Sequence, residues 1–221
     1  AIAQAVGRGS GRGDLLLVSL PIVADADTLF PATTRGLLIY LDFGGLIRLH
    51  WSPMILDEVA RALVDAGRKK TLDDAKAHET RMQDALPHAL VATRDVQAQF
   101  ASVAHAVRSA KDVHVAACAH YLIAANAYGG GQAVALVTRN TKDFRKGELA
   151  KLGIALRKPD EFLAALFQGD PQAFSAAFRD FRTDLSSRPQ PDDLLARLHK
   201  DGQVQVAAAL MSSLQAGTVE L

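Results

Sequence analysis

One cysteine, Cys118, is all that the chain has in 221 residues. An internal disulfide is therefore excluded, and a reducing compartment, the cytoplasm, is the expected location. Long apolar runs are missing too, since none approaches the roughly 18 residues that a membrane span needs. Excess charge of either sign is also absent: 25 Lys and Arg against 24 Asp and Glu leave a formal net charge of +1. That balance excludes a chain-wide basic footprint for nucleic acid, so a polyanion would have to be held by a local cluster of Lys and Arg or through metal ions. Prolines number 8 and aromatics make up 6%, whereas hydrophobic residues reach 49%. Such a composition buries a sizeable core, as one large domain or as a domain with a small helical appendage.

The opening AIAQAVGRGSGRGD combines small residues, glycines and two arginines without periodicity, and residues 1–19 are read as a flexible arm or a vector-derived remnant. From there strands and helices alternate. The run ending in PIV reads as a strand, PATTRGLLIYLDFGG as a helix capped by Thr33 or Thr34, and LIRLHW as a second strand. A helix with Ser52 as N-cap and Pro53 at its first position follows, ending at Gly67. Next come a polar helix in TLDDAKAHETRMQDALPHA, a short strand LVAT, and a helix through VQAQFASVAHAV. KDVHVAACAHYLIAANA is apolar on nearly every face, as in a helix buried on several sides, and the glycines at 129–131 are its expected stop. AVALVT and IALRK are continuous apolar strands of the parallel-sheet type, separated by a helix around KDFRKGELAKLG, and Pro159 opens the helix PDEFLAALF. This alternation implies a parallel sheet between helical layers. After Gly169 only helices are visible, so residues 168–221 form a C-terminal helical extension to a domain spanning 20–167.

The first strand ends in two carboxylates, Asp25 and Asp27. Ligands of open parallel sheets bind at the carboxyl ends of the strands, and acids crowded there repel one another unless a partner neutralises them. Mg²⁺ or Mn²⁺, which prefers oxygen ligands, is such a partner. In the helix from Pro53, the stripe Ile55, Val59, Ala62, Leu63 and Ala66 puts Glu58 at its border and Asp57 roughly opposite. Glu58 either faces inward or pairs with Arg61 or Lys69. Asp112 opens the most apolar helix, where a cap is its simplest role, and Asp143 follows the strand AVALVT in TRNTKDF, where it could equally be a helix N-terminal acid.

The stretches IVADADTLF, SPMILDEV, DVHVAACA and LVTRNTKDF, in that order and closed by GIALRKPDEFL, resemble a PIN domain, the metal-dependent nuclease fold of VapC-type toxins. The resemblance covers about residues 21–167 and implies a three-layer α/β/α sandwich with a central parallel sheet. It further implies that Asp25, Glu58, Asp112 and Asp143 are catalytic, binding one or two Mg²⁺ or Mn²⁺ ions, with Thr138 and Asn140 as polar supports. Two positions depart from the family pattern. Asp27 stands where the family usually has Asn, adding a carboxylate to the metal set, and Asn140 occupies the commonest position of the fourth acid, leaving Asp143 as the nearest aspartate. The implied activity is endoribonucleolytic hydrolysis of RNA by the toxin of a toxin–antitoxin pair, with an antitoxin protein as partner and a homodimer as the assembly. Arg35, Arg139, Lys142 and Arg145 flank the motifs and are candidates for RNA phosphates.

Two other readings compete. Asp25-Ala-Asp27 also resembles the nucleophile motif of haloacid-dehalogenase-type phosphatases, but Leu29 stands where their threonine belongs. A degenerate PIN-like module that binds without cleaving is the third. The seven histidines form no HxxxH pair and are read as structural or solvent-facing, and Cys118 as a small core residue. The extension carries five Lys plus Arg against seven Asp plus Glu, which does not suit RNA binding by charge; its small apolar residues suit close helix packing.

Overall fold

The computed structural model describes residues 19–129 and 131–221. The arm expected over residues 1–19 lies, except for Ser19, outside the described residues.

Four strands, β1 (Leu20–Ala24), β2 (Ile47–His50), β3 (Val134–Val137) and β4 (Ile154–Arg157), form one parallel sheet in the order β2-β1-β3-β4. β3 is buried along its whole length and β1 in all but its first residue. That burial is why both read as unbroken apolar runs and not as alternating ones. Between β1 and β2 lie the single turn α1 (Ala26–Leu29) and α2 (Ala32–Phe43). Between β2 and β3 lie α3 (Pro53–Asp65), α4 (Leu72–Ala85), the short α5 (Thr93–Gln97) and α6 (Phe100–Val103), and α7 (Val113–Ala124). α8 (Lys146–Lys151) joins β3 to β4, and α9 (Pro159–Gly169), α10 (Pro171–Asp184), α11 (Pro191–Lys200) and α12 (Val204–Gln215) complete the chain. The chain moves from β1 to one side and later returns to the other, so right-handed crossovers put α2 and α7 on opposite faces. α7 packs on β1, β3 and β4, and α2 on β2. The result is the expected three-layer α/β/α sandwich with a parallel sheet and a C-terminal helical extension.

Three local expectations change. LVAT forms only an isolated bridge, Leu90 to Trp51, because no further strand continues the ladder there. The helix expected through VQAQFASVAHAV is broken into α5, α6 and a 3-10 turn. α7 ends before the glycines: Asn126 takes the left-handed conformation, φ 51°, that terminates it.

The extension is built into the sandwich. α10 packs along α2, where a Cβ on Gly36 would overlap the Phe181 ring, so the two helices can approach this closely only with glycine there. Neither Thr33 nor Thr34 caps α2. Their backbone amides donate instead to the Asp201 carboxylate, both at 3.1 Å, from the turn between α11 and α12. Gln203, 1% exposed, donates its side-chain amide to Thr34 Oγ1 at 3.3 Å. The reciprocal device holds α12, whose Gln205 and Val206 amides donate to Asp160 of α9. Each acid satisfies orphan amides at the positive end of another helix.

Replacing Asp201 with alanine is predicted to lower unfolding stability by about 1–2 kcal/mol, the usual cost of a lost N-cap. Asp201→Asn, which keeps an accepting oxygen, should lose less than half of that. Urea unfolding followed by circular dichroism measures both.

Candidate active site

The sheet's topology reverses between β1 and β3, so a crevice opens at their carboxyl ends. Asp25 stands at that point. Its amide continues the ladder by donating to the Val137 carbonyl at 3.0 Å, and its side chain caps α1 by accepting from the Ala26 amide at 2.7 Å. The second carboxylate oxygen accepts from Thr138 Oγ1 at 2.8 Å across the crevice. Asp25 is 6% exposed and Thr138 fully buried, so the pair is fixed by packing as well as by hydrogen bonding.

Three further acids reach the same cavity, of about 460 Å³, lined by Asp25, Ala26, Asp27, Phe30, Glu58, Ala62, Asp112, Arg139 and Asn140. Asp27 comes from α1, Glu58 from the border of α3's buried face, and Asp112 from the start of α7. Asp112 occupies the N-cap position of α7 without a capping hydrogen bond from its side chain. Asp143 sits just beyond the lining in the 3-10 turn Thr141–Asp143 and accepts from the Asn140 side-chain amide. The chain thus brings the four expected catalytic acids to one end of the sheet, with Thr138 and Asn140 hydrogen-bonded to two of them.

Asp27, expected among the metal ligands, lines the cavity and also accepts hydrogen bonds from the loop after β3. Its carboxylate accepts from the Arg139 amide at 3.0 and 3.1 Å, the Asn140 amide at 3.1 Å and the Thr28 hydroxyl at 3.0 Å. These oxygens staple the loop after β3 to α1. Glu58 pairs with neither Arg61 nor Lys69 among the described residues; its Oε1 lies 3.7 Å from His114 Nε2. His114 is buried, its Nδ1 2.7 Å from the Lys111 carbonyl and its Nε2 without a hydrogen bond. Its position two residues after Asp112, in the first turn of the buried helix, is the signal that an HxxxH search passes over.

The acids raise one another's proton affinity. Burial, then the Asp27 charge, pushes the Asp25 carboxyl up to about 7, and Glu58 adds to the rise. Burial also pushes Glu58 up against the pull of His114 and Arg61, with Asp112 and Asp27 reinforcing it. Asp112 is raised by burial and by Asp143, against its bond to Ser109. Among the described residues no three His, Cys, Asp or Glu side chains close on one point as a formed metal cluster. The fit to Mg²⁺ or Mn²⁺ therefore rests on donor chemistry: hard carboxylate oxygens from separate elements, converging on one cavity and destabilised by their shared charge. Asp25, Glu58, Asp112 and Asp143 are the residues that could hold such an ion.

Of the four expected phosphate contacts, only Arg139 lines the cavity, and its guanidinium donates to the Asp201 carbonyl of the extension. Arg35 is buried and donates to the Leu29 and Phe30 carbonyls, which corrects its expected role: it fixes the end of α1 and is not presented to a ligand. Arg145 holds the His105 carbonyl at 2.6 Å, and Lys142 is exposed beside Asp143.

A parallel sandwich with acids gathered at its topological switch point defines the class of molecule. The comparisons with known proteins add one finding. A family model described as the VapC50 C-terminal domain matches residues 159–212, which run from α9 into α12. The match links these helices to VapC-type proteins and does not reach the segment carrying the acids. No curated protein and no solved structure matches the chain.

A carboxyl raised from 3.8 to about 7 stabilises the fold below pH 3.8 and loses that contribution as pH rises through 7. Asp25→Asn removes the charge while keeping a cap for Ala26. The metal-free variant is therefore predicted to be more stable than the metal-free wild type above pH 7, by on the order of 4 kcal/mol, with the difference shrinking toward pH 4. Buried His50 and half-buried His78, pushed down to about 4, act in the opposite sense in both proteins and cancel in the comparison. Thermal melts with EDTA at several pH values check this.

Proposed function

We propose that the protein is a metal-dependent endoribonuclease of the VapC toxin type, hydrolysing phosphodiester bonds of RNA with Mg²⁺ or Mn²⁺. The observation that carries the reading is the gathering of Asp25, Glu58 and Asp112, from three separate elements, in one cavity where burial and then neighbouring carboxylates raise the proton affinity of all three. Such repulsion is costly for a fold and useful for a cation site. The family match over residues 159–212 supports the toxin assignment.

When bound, the ion would lower the pKa of its water and offset charge on the scissile phosphate. The residues of the chain have separate tasks. Asp25, Glu58, Asp112 and Asp143 hold the ion. Thr138 fixes the orientation of the Asp25 carboxylate, and Asp27 holds the backbone of residues 139–140 so that Arg139 stays at the cavity rim. The Arg139 guanidinium offers positive charge to a phosphate entering there. As a toxin it would act in the cytoplasm, be blocked by an antitoxin protein and work as a homodimer. No helix among the described residues is long and apolar enough to cross a membrane.

The phosphatase reading is disfavoured by Asp27. As the general acid and base of that mechanism it would need an oxygen free for the leaving group, whereas its oxygens accept from two backbone amides and a hydroxyl. A binding module without catalysis would leave the repelling acids without a purpose.

Incubating the purified protein with total cellular RNA and Mn²⁺ is predicted to give discrete fragments. EDTA should abolish them, and Asp25→Asn should reduce the rate more than about 100-fold, beyond what loss of a group merely supporting a ligand costs. Intact RNA under every metal condition, from folded protein, would refute the reading.

A further inference from the structure

Several cations lie near Phe30, at the edge of the acid cavity. Phe30 lines the cavity, and the Arg68 guanidinium carbon lies 4.4 Å from its ring centroid. Arg68 is exposed just after α3, followed by the half-buried Lys69, while Arg61 lies one turn after Glu58 on α3 and Arg81 is exposed on the packed neighbour α4. Buried Arg35 lies beneath them. Among the described residues none of these five cations has a carboxylate within 4.0 Å; the nearby acids Asp57 and Glu79 are instead paired with Lys76.

Their crowding acts on their neighbours. Burial and then the charge of Arg68 pull the Arg35 guanidinium down to about 10. Burial together with Arg35, Lys69 and Arg81 pushes the His78 imidazole down to about 4, and its Nε2 is buried without a hydrogen bond. A cation–π contact is worth about 0.5–1 kcal/mol at an exposed site, which accounts for Arg68 over Phe30 alone. It does not account for gathering unpaired cations around that pair. A polyanion does. Single-stranded nucleic acid is held by such a combination, with cations along the backbone and bases stacked on aromatic rings or guanidinium planes.

We infer that Phe30 and Arg68 form a stacking shelf for a base of single-stranded RNA next to the acid cavity, with Arg61, Lys69 and Arg81 carrying its backbone. This rests on the ribonuclease reading and deepens it. The Arg68 guanidinium lies over the Phe30 ring and the residue is exposed, so a base can reach the pair from solvent. Arg35, through the Leu29 and Phe30 carbonyls, fixes the backbone that presents the ring. The acids of the cavity then face the reacting phosphate, and the cations beside it face the flanking nucleotides.

Binding measured with EDTA present separates this shelf from catalysis. The probe is a fluorescein-labelled pool of single-stranded RNA of roughly 12 nucleotides, read by anisotropy, with inorganic polyphosphate as the base-free competitor. Phe30→Leu should bind RNA roughly 5- to 150-fold more weakly, the range for one lost stacked base. It should still bind polyphosphate as the wild type does, and Phe30→Tyr should restore RNA binding. Arg68→Gln, a surface change that leaves the fold intact, should weaken both ligands and reduce the salt slope for RNA by about 0.7. RNA binding by folded Phe30→Leu equal to the wild type, or wild-type RNA binding no tighter than polyphosphate, overturns the shelf. Preference for an acidic protein over RNA at the same patch does so as well. Should Phe30→Leu fail to fold, an Arg68→Gln protein with unchanged RNA affinity and salt slope overturns it alone. A parallel incubation with Mn²⁺ tests the other claim: the predicted binding differences without cleavage refute the nuclease and leave the shelf standing.

Discussion

The hydrogen bond from Thr138 to Asp25 joins the ends of β3 and β1, the two strands between which the sheet reverses. The rest of the site depends on this closure. A carboxylate at the end of a buried strand costs free energy unless its oxygens are satisfied, and Asp25 meets that demand with the Ala26 amide and the Thr138 hydroxyl. Neither bond offsets the burial of the carboxyl or the repulsion from Asp27 and Glu58, so it still stays well above its ordinary range. The site is held in place by neutral donors and left short of positive charge, which is the state that a divalent cation relieves.

The C-terminal helices share in this arrangement. Asp201 caps α2 with its carboxylate and accepts from Arg139 with its backbone carbonyl, and the amide of the same Arg139 is held by Asp27. Gly202, at φ 87°, allows the turn between α11 and α12 to approach the Arg139 guanidinium. A continuous chain of hydrogen bonds therefore runs from the family-matched segment to the cavity rim. The extension thus braces the loop that bears Arg139.

The sheet was legible in the sequence because its central strands are buried on both faces and read as unbroken apolar runs bounded by polar residues. The acids were legible by their order along the chain, and Glu58 also by its place at the edge of a helical stripe. What could not be read locally depends on distant partners. The amides that engage Asp27 lie beyond residue 138, and the cap of α2 comes from residue 201. Arg35 looks like any surface arginine until the ends of α1 and α2 fold over it. LVAT has strand composition but no neighbour to continue the ladder. Phe30 and Arg68, 38 positions apart, meet only because α1 packs on α3.

The central claim is that the gathered carboxylates form a divalent-cation site. Calorimetric titration of Mn²⁺ into the metal-free protein at pH 8 tests it most directly, with Asp25→Asn as the comparison. The account predicts saturable binding by the wild type and its loss in a variant that is folded and at least as stable. Equal Mn²⁺ binding by both proteins, or none by the wild type, would contradict it.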